Sequence, residues 1–531
     1  MAVLEGLEPE KVFYYFERIA NIPHGSRNTK KISDFLVSFA KKRDLRYIQD
    51  EAGNVIIFKD GSKGYENAPS IIIQGHMDMV CEKTPDSNIN FEKDGLSLAK
   101  TDEYIFAEGT TLGGDDGIAV AYALAILDSD DLMHPPLEVV ITVDEEIGML
   151  GASAIDCSPL KSKLMLNLDS EDEGQLLVSC AGGATVTCKY ISPVQPVKAT
   201  HDGLCKGFLD DDNYMRISLL VTGITGGHSG IEIDKQGANA DKILGRALYY
   251  LNKSEEIYIN LVTLSGGLKD NAIPKEANAV FDVYLEEDTK QHVDFIYQII
   301  LDRIKKLNEI LKQEYSETDK DICLLVERVY LDDETEDEDM VNFYADYKNP
   351  TEDIITMLVN YPNGVRKMSK DIDGLVQTSL NLGILSTSKI AMTRECEMSF
   401  SVRSSIGSEK DELIDIMECL TKAFGGEMTI SGNYPAWEYK KESHLRDIMY
   451  EAYIELFDEK PTIEAVHAGL ECGIFAGKIK DLDCVSIGPR MEAIHTTDEK
   501  LYIESVRKYW DYVLLILQKL CKEEDYVSLG K

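Results

Sequence analysis

Residues 71–79 read IIIQGHMDM. Three consecutive isoleucines predict a short strand buried on both faces, as in sheets covered by helices on each side. The strand gives way at Gly75, and His76 and Asp78 follow directly. Polar residues just past a strand's carboxyl end occupy the place where open α/β sheets bind ligands.

The same placement recurs down the chain. LEVVITVDEEIGMLGA (137–152) is a strand over Leu137–Val143 followed by Glu145 and Glu146. LMLNLDSEDEG (164–174) is a strand over Leu164–Leu168 followed by Asp169. GPRMEAIHTTDEKL (488–501) sets His495 in a loop after a strand over Cys484–Ile487. EGTTLGGDDGIAVAYALAIL (108–127) puts Asp115 and Asp116 at a glycine turn opening a helix over Gly117–Leu127. One aspartate there suffices as a cap, and a second carboxylate suits a bridge between two metal ions. Adjacent acids such as Glu145 and Glu146 repel, so burying them calls for a nearby cation. One can ligate it while the other takes a proton from water. Asp78 is placed to receive the second ring nitrogen of a ligating His76. Two imidazoles and several carboxylates suit zinc, cobalt or manganese.

Composition narrows the field. The 531 residues carry a formal net charge of −39, which disfavours a nucleic-acid partner. The length predicts more than one domain. The 11 cysteines form no CxxC pair, which argues for a reduced intracellular setting and against a structural zinc finger. The amino-terminal sequence has no basic stretch followed by an apolar one, and the longest apolar run, Ile118–Leu127, is about half of what a bilayer span needs. Together these predict a cytoplasmic protein with no membrane partner.

Helical periodicity over Glu10–Ala20 and Lys31–Lys41 and a strand over Asn54–Phe58 complete an α/β opening. A second region begins near Thr187, with strands predicted over Met215–Val221, Ala279–Leu285, Ser379–Leu385 and Met392–Arg403. Helices over Ala238–Leu251 and Asp288–Glu314 accompany them. The run LDDETEDEDM (331–340) reads as a solvated acidic loop. After Ser405 the α/β character returns, with helices over Lys410–Phe424, Leu445–Leu456 and Ser505–Cys521. The expected domains are therefore 1–187 and 406–531 as two parts of one catalytic domain, with 188–405 inserted between them.

Read together and in order, these segments resemble the M20 metallopeptidases, most closely the aminoacylhistidine (Xaa-His) dipeptidase branch. Further carriers of the resemblance are CAGG (180–183), GGHSG (226–230), NAIP (271–274), HAGLECG (467–473) and VSIGP (485–489). The resemblance implies an α/β fold: a zinc-peptidase-like catalytic domain with a mixed sheet, interrupted by a smaller α+β lid and dimerisation domain, in a homodimer. It implies two divalent ions, Zn2+ with Co2+ or Mn2+ as alternatives. His76 and Asp169 would serve the first ion and Glu146 and His495 the second, with Asp115 bridging. Asp78 would orient His76, and Glu145 would be the general base. His228, Asn271, Arg403 and His467 would contact substrate. Asp116 stands where relatives often have Asn, and the acidic run near 331–340 looks inserted.

The expected activity is hydrolysis of small dipeptides, X-His and β-alanyl-histidine among them. A related tripeptidase, aminoacylase or deacylase, or a non-catalytic binding protein on the same fold, remains open at this stage.

Overall fold

The computed structural model describes residues 3–195, 197–199, 204–207, 213–330, 344–345, 348–390 and 393–522. The acidic run 331–340 and Met392 lie outside these residues. The chain divides into two compact units, Met1–Ala181 with Pro435–Lys531, and Gly182–Tyr434.

The first unit is built on an eight-stranded mixed sheet. Its centre sets Leu137–Thr142, Ile71–His76 and Leu164–Asn167 side by side and parallel. Asp483–Ser486 runs parallel to Leu164–Asn167 on the far side. All four strands are buried throughout, which is why consecutive apolar residues such as Ile71–Ile73 and Leu164–Leu166 run through them. The helix Gly114–Leu127 packs against Ile71–His76. Every one of its residues is buried, so it shows no polar face. Residues 10–20 form the expected first helix, which packs along Gly114–Leu127.

The second unit is a largely antiparallel sheet of twelve strands among the described residues, with the helices Ala240–Asn252, Lys290–Glu314, Lys348–Asn360 and Gly407–Ala423 packed on it. Its core joins strand residues such as Phe281, Leu382 and Phe400 to Leu244, Leu248 and Ile300 of the helices. Deep in its sheet Arg216 and Asp282 form a fully buried ion pair, Nε to Oδ1 at 2.7 Å.

Both expected domain boundaries differ from the structural ones. The strand Gly182–Gln195 is continuous across residue 187. The helix Gly407–Ala423 belongs to the second unit, because its buried Leu413, Ile414 and Met417 join that unit's core and it packs on Gly182–Gln195 and Thr393–Ser404. The strand Glu427–Tyr434 then extends that sheet along Gly182–Gln195. The return to the first unit therefore comes at Pro435 rather than at 406. None of the described helices is long and apolar enough to cross a membrane.

Candidate metal centre

Four strand ends and one helix start deliver the polar residues of the first unit to one place. His76 is the last residue of its strand. Glu145 and Glu146 follow Leu137–Thr142, Asp169 follows Leu164–Asn167, and His495 lies beyond Asp483–Ser486. Gly75 is required here. A Cβ on it would stand 2.5 Å from Asp116 Oδ2 and 2.7 Å from Ala119 Cβ, so glycine admits the helix that carries the Asp115–Asp116 pair.

Asp115 sits between two imidazoles and gives one oxygen to each. Its Oδ1 lies 3.1 Å from His76 Nε2 and its Oδ2 lies 3.1 Å from His495 Nε2. Asp169 Oδ1 is 3.6 Å from His76 Nε2, and Glu146 Oε2 is 3.0 Å from His495 Nε2. Two nitrogen-and-oxygen clusters thus share a carboxylate. The ligand atoms of His76, Asp115 and Glu146 lie within 4.8 Å of one another, as do those of His76, Asp116 and Asp169.

The electrostatics match a cation site. Burial disfavours the charged form of His76, yet the carboxylates of Asp115, Asp169 and Asp78 outweigh it and hold the imidazole well above its usual range. Asp115 and Glu146 push His495 up to about 11 against the effect of burial. Asp116 accepts the backbone N–H of His76 through Oδ2 at 3.1 Å, while its Oδ1 is buried with no hydrogen-bond partner among the described residues. Burial, followed by Asp169, pushes the Asp116 carboxyl well up. An orphaned carboxylate oxygen beside this donor set fits a divalent ion such as zinc.

Asp78 organises the group from behind. The backbone carbonyl of Asp78 faces His76 Nδ1 at 3.1 Å and its Oδ1 lies 3.5 Å from the same nitrogen, which leaves Nε2 turned to the acids. Oδ1 also accepts the N–H of Glu145 at 3.0 Å, and Oδ2 accepts Ser26 Oγ at 2.8 Å and the N–H of Glu146 at 3.4 Å. Glu145 itself is half-buried, and its carboxylate takes no hydrogen bond from the described residues. Burial, with Asp169, Glu471 and Asp115 adding to it, pushes this carboxyl well above the ordinary glutamate range.

Glu499 holds the glycine turn. It accepts the N–H groups of Leu112 at 2.7 Å, Gly113 at 3.2 Å and Gly114 at 2.8 Å. Gly113 has φ +65°, a left-handed conformation that favours glycine. His495 adopts φ 61°, which non-glycine residues rarely do, and its Nε2 still meets both acids.

The remaining residues singled out from sequence divide between the units. His467 is buried in the first unit, directly after the strand Thr462–Val466. His228, Asn271 and Arg403 belong to the second. There Gly227–His228 pairs with Ala272–Ile273, and the N–H of Ser229 donates to the Asn271 carbonyl at 2.9 Å. His228 Nδ1 accepts from the N–H groups of Gly230 and Ile231, both at 3.2 Å, so the proton resides on Nε2. Burial, then the charge of Arg403, lowers the His228 pKa and keeps the ring neutral. Arg403 is buried, with NH1 3.3 Å from Tyr434 Oη.

Sequence reasoning did not assign Glu499 or Glu471 a part. Both lie inside stretches already singled out, Glu499 in GPRMEAIHTTDEKL and Glu471 in HAGLECG, but their partners Gly114 and Gln74 are far away in the chain, and no local pattern marks such a contact.

The pattern of the Peptidase family M20/M25/M40 matches residues 72–519. The cytosol non-specific dipeptidase of Escherichia coli (strain K12) is 34% identical over 522 residues, covering 98% of this chain and 99% of that protein. The crystal structure of aminoacylhistidine dipeptidase from Vibrio alginolyticus superimposes with a TM-score of 0.83 at 31% identity, over 97% of this chain and 98% of that one. An aminopeptidase structure from Bacillus cereus shares the fold at a TM-score of 0.54 and 16% identity, covering 97% of this chain and 100% of that one.

Proposed function

The chain is a metallo-dipeptidase of the peptidase family M20/M25/M40, and on that footing we propose that it hydrolyses small dipeptides, X-His and β-alanyl-histidine included, with Glu145 as general base. The observation that carries this reading is Asp115, one oxygen toward each of two imidazoles that face separate acids. His76 and Asp169 would hold one divalent ion, zinc by donor chemistry, and Glu146 and His495 the other, with Asp115 common to both. A pair of such ions supplies polarisation of the scissile carbonyl and a lowered pKa for an attacking water.

The chain's own residues do the rest. Asp78 fixes the His76 ring and the backbone from which both glutamates project. Glu145, whose carboxylate takes no hydrogen bond from the described residues, takes the proton of the attacking water and passes it to the leaving amine. The neutral His228 presents an Nε2–H suited to the oxyanion that develops on the carbonyl. By the family resemblance, Arg403 would offer a guanidinium to the carboxylate of a dipeptide, and Asn271 and His467 would be further contacts to the substrate. We place the enzyme in the cytoplasm as a homodimer. The Escherichia coli relative, a cytosol non-specific dipeptidase, favours a range of dipeptides wider than X-His for this chain.

The test is hydrolysis by chelator-stripped protein restored with zinc, on Ala-His, β-Ala-His, Ala-Leu, Gly-Gly-Gly and an N-acetyl amino acid. Zinc-dependent cleavage of the dipeptides is expected, Ala-His among them. Cleavage confined to the tripeptide or the N-acetyl amino acid would move the assignment to a tripeptidase or a deacylase. Failure on every substrate with zinc bound would contradict catalysis.

A further inference from the structure

Beneath the acids and imidazoles of the metal centre lies a second group of polar side chains that none of the roles above uses. Gln74, Thr142, Asn167 and Glu471 are each 0% exposed. Glu471 opens the helix Glu471–Lys478 within the HAGLECG stretch. Its Oε2 accepts hydrogen bonds from Gln74 Nε2 and, at 2.6 Å, from Thr142 Oγ1. Gln74 Oε1 in turn accepts Asn167 Nδ2 at 2.6 Å.

The positions of these residues are what give the group meaning. Gln74 precedes His76 by two residues, and Asn167 precedes Asp169 by two. Residues two apart on a strand face the same side of the sheet. Thr142 ends the strand that leads to Glu145 and Glu146, and it lies in register with His76. Gln74 lies in register with Asn167. One carboxyl oxygen therefore ties the strand that carries His76 to the strand that leads to the glutamate pair, and Gln74 links the strand that leads to Asp169 to them through Asn167. Around this level the strands are apolar, with Ile73, Val140 and Leu166 buried. Apolar contacts tolerate small slides, whereas buried hydrogen bonds are directional and specify one arrangement.

We propose that Glu471 is a positioning residue: by accepting from Gln74 and Thr142 it holds the strands bearing His76, Glu145–Glu146 and Asp169 in the relative placement that turnover requires. The proposal rests on the dipeptidase reading above. Burial pushes the Glu471 carboxyl up to about 8, and its other oxygen has no hydrogen-bond partner among the described residues. Both features suit a neutral acid, for which glutamine is a close isostere that keeps an acceptor for both donors.

The test compares zinc-loaded full-length wild type with E471L, E471Q and T142V on a dipeptide, measuring kcat, KM and zinc content. A displacement of the order of 1 Å in a catalytic group costs about 100-fold in rate, so E471L is expected to lose kcat on that scale, with KM within about twofold and zinc content unchanged. E471Q should restore kcat to within about fivefold of wild type, and T142V, which removes one of the two donors, should lose about tenfold. Wild-type kcat in E471L, or a loss in E471Q equal to that in E471L, overturns the proposal. If E471L does not fold, wild-type kcat in T142V overturns it. If wild type cleaves no dipeptide, the dipeptidase reading falls by itself. The positioning claim is then read from the visible absorption of the cobalt(II)-substituted protein, which should shift in E471L and not in E471Q. An unchanged spectrum in E471L contradicts the claim.

Discussion

Asp78 Oδ1 accepts the backbone N–H of Glu145 at 3.0 Å while lying 3.5 Å from His76 Nδ1. The same carboxylate thus fixes a candidate ligand and the backbone of the candidate base. Its other oxygen takes the Ser26 hydroxyl at 2.8 Å and the Glu146 N–H at 3.4 Å, so it is fully used.

Replacing Asp78 with Ala should therefore weaken zinc binding about 10- to 100-fold, the usual scale for a partner behind a ligating histidine. Competition against a chromophoric chelator measures it. Wild-type affinity in D78A would show that the His76 ring is held by other means.

Glu499 should matter for stability as well as for the site. E499A leaves the N–H groups of Leu112, Gly113 and Gly114 without their acceptor in a buried turn. Losing such a partner costs about 1–3 kcal/mol. Urea unfolding should report a loss of that size, and zinc affinity should fall because the turn presents Asp115. An unchanged unfolding midpoint would contradict the role.

Much of this arrangement was legible in the sequence because burial leaves a plain mark on parallel strands. Ile71–Ile73 announced the strand that runs on to His76, and Leu137–Val143 matched Leu137–Thr142 to within one residue. Glu145, Glu146 and Asp169 drew attention because each follows such a run and Asp115 because it opens a helix at a glycine turn, and the resemblance to the M20 metallopeptidases gave these candidates their expected roles. The second unit was harder to read. The strand Glu427–Tyr434 is largely exposed, and its alternation of apolar residues ends at Ile430, too short a pattern to mark a strand. The helix Gly407–Ala423 has an apolar face of the ordinary kind, and periodicity alone does not say which unit that face joins. Glu471 and Glu499 act through partners 397 and 385 residues away, to Gln74 and Gly114, and a contact of that separation leaves no local pattern.

Metal uptake should release protons. Without metal, Asp115 and Glu146 hold His495 up to about 11, and His76 is likewise raised, so both imidazoles carry protons near neutral pH. An incoming divalent ion must displace them, so affinity should rise as pH rises and fall as it falls. Titrating zinc into chelator-stripped protein in weakly buffered solution near pH 7, followed with a pH indicator, should show acidification that E146Q diminishes. Binding with no proton release would contradict this account of the metal-free site.

The most direct test of the central claim is the turnover of E145Q on Ala-His, with zinc content measured on the same sample. Removing a general base typically costs about 100- to 10,000-fold. The account predicts a loss in that range with zinc content equal to wild type. Near-normal turnover in zinc-loaded E145Q would contradict it, because the proton would then be taken by another group.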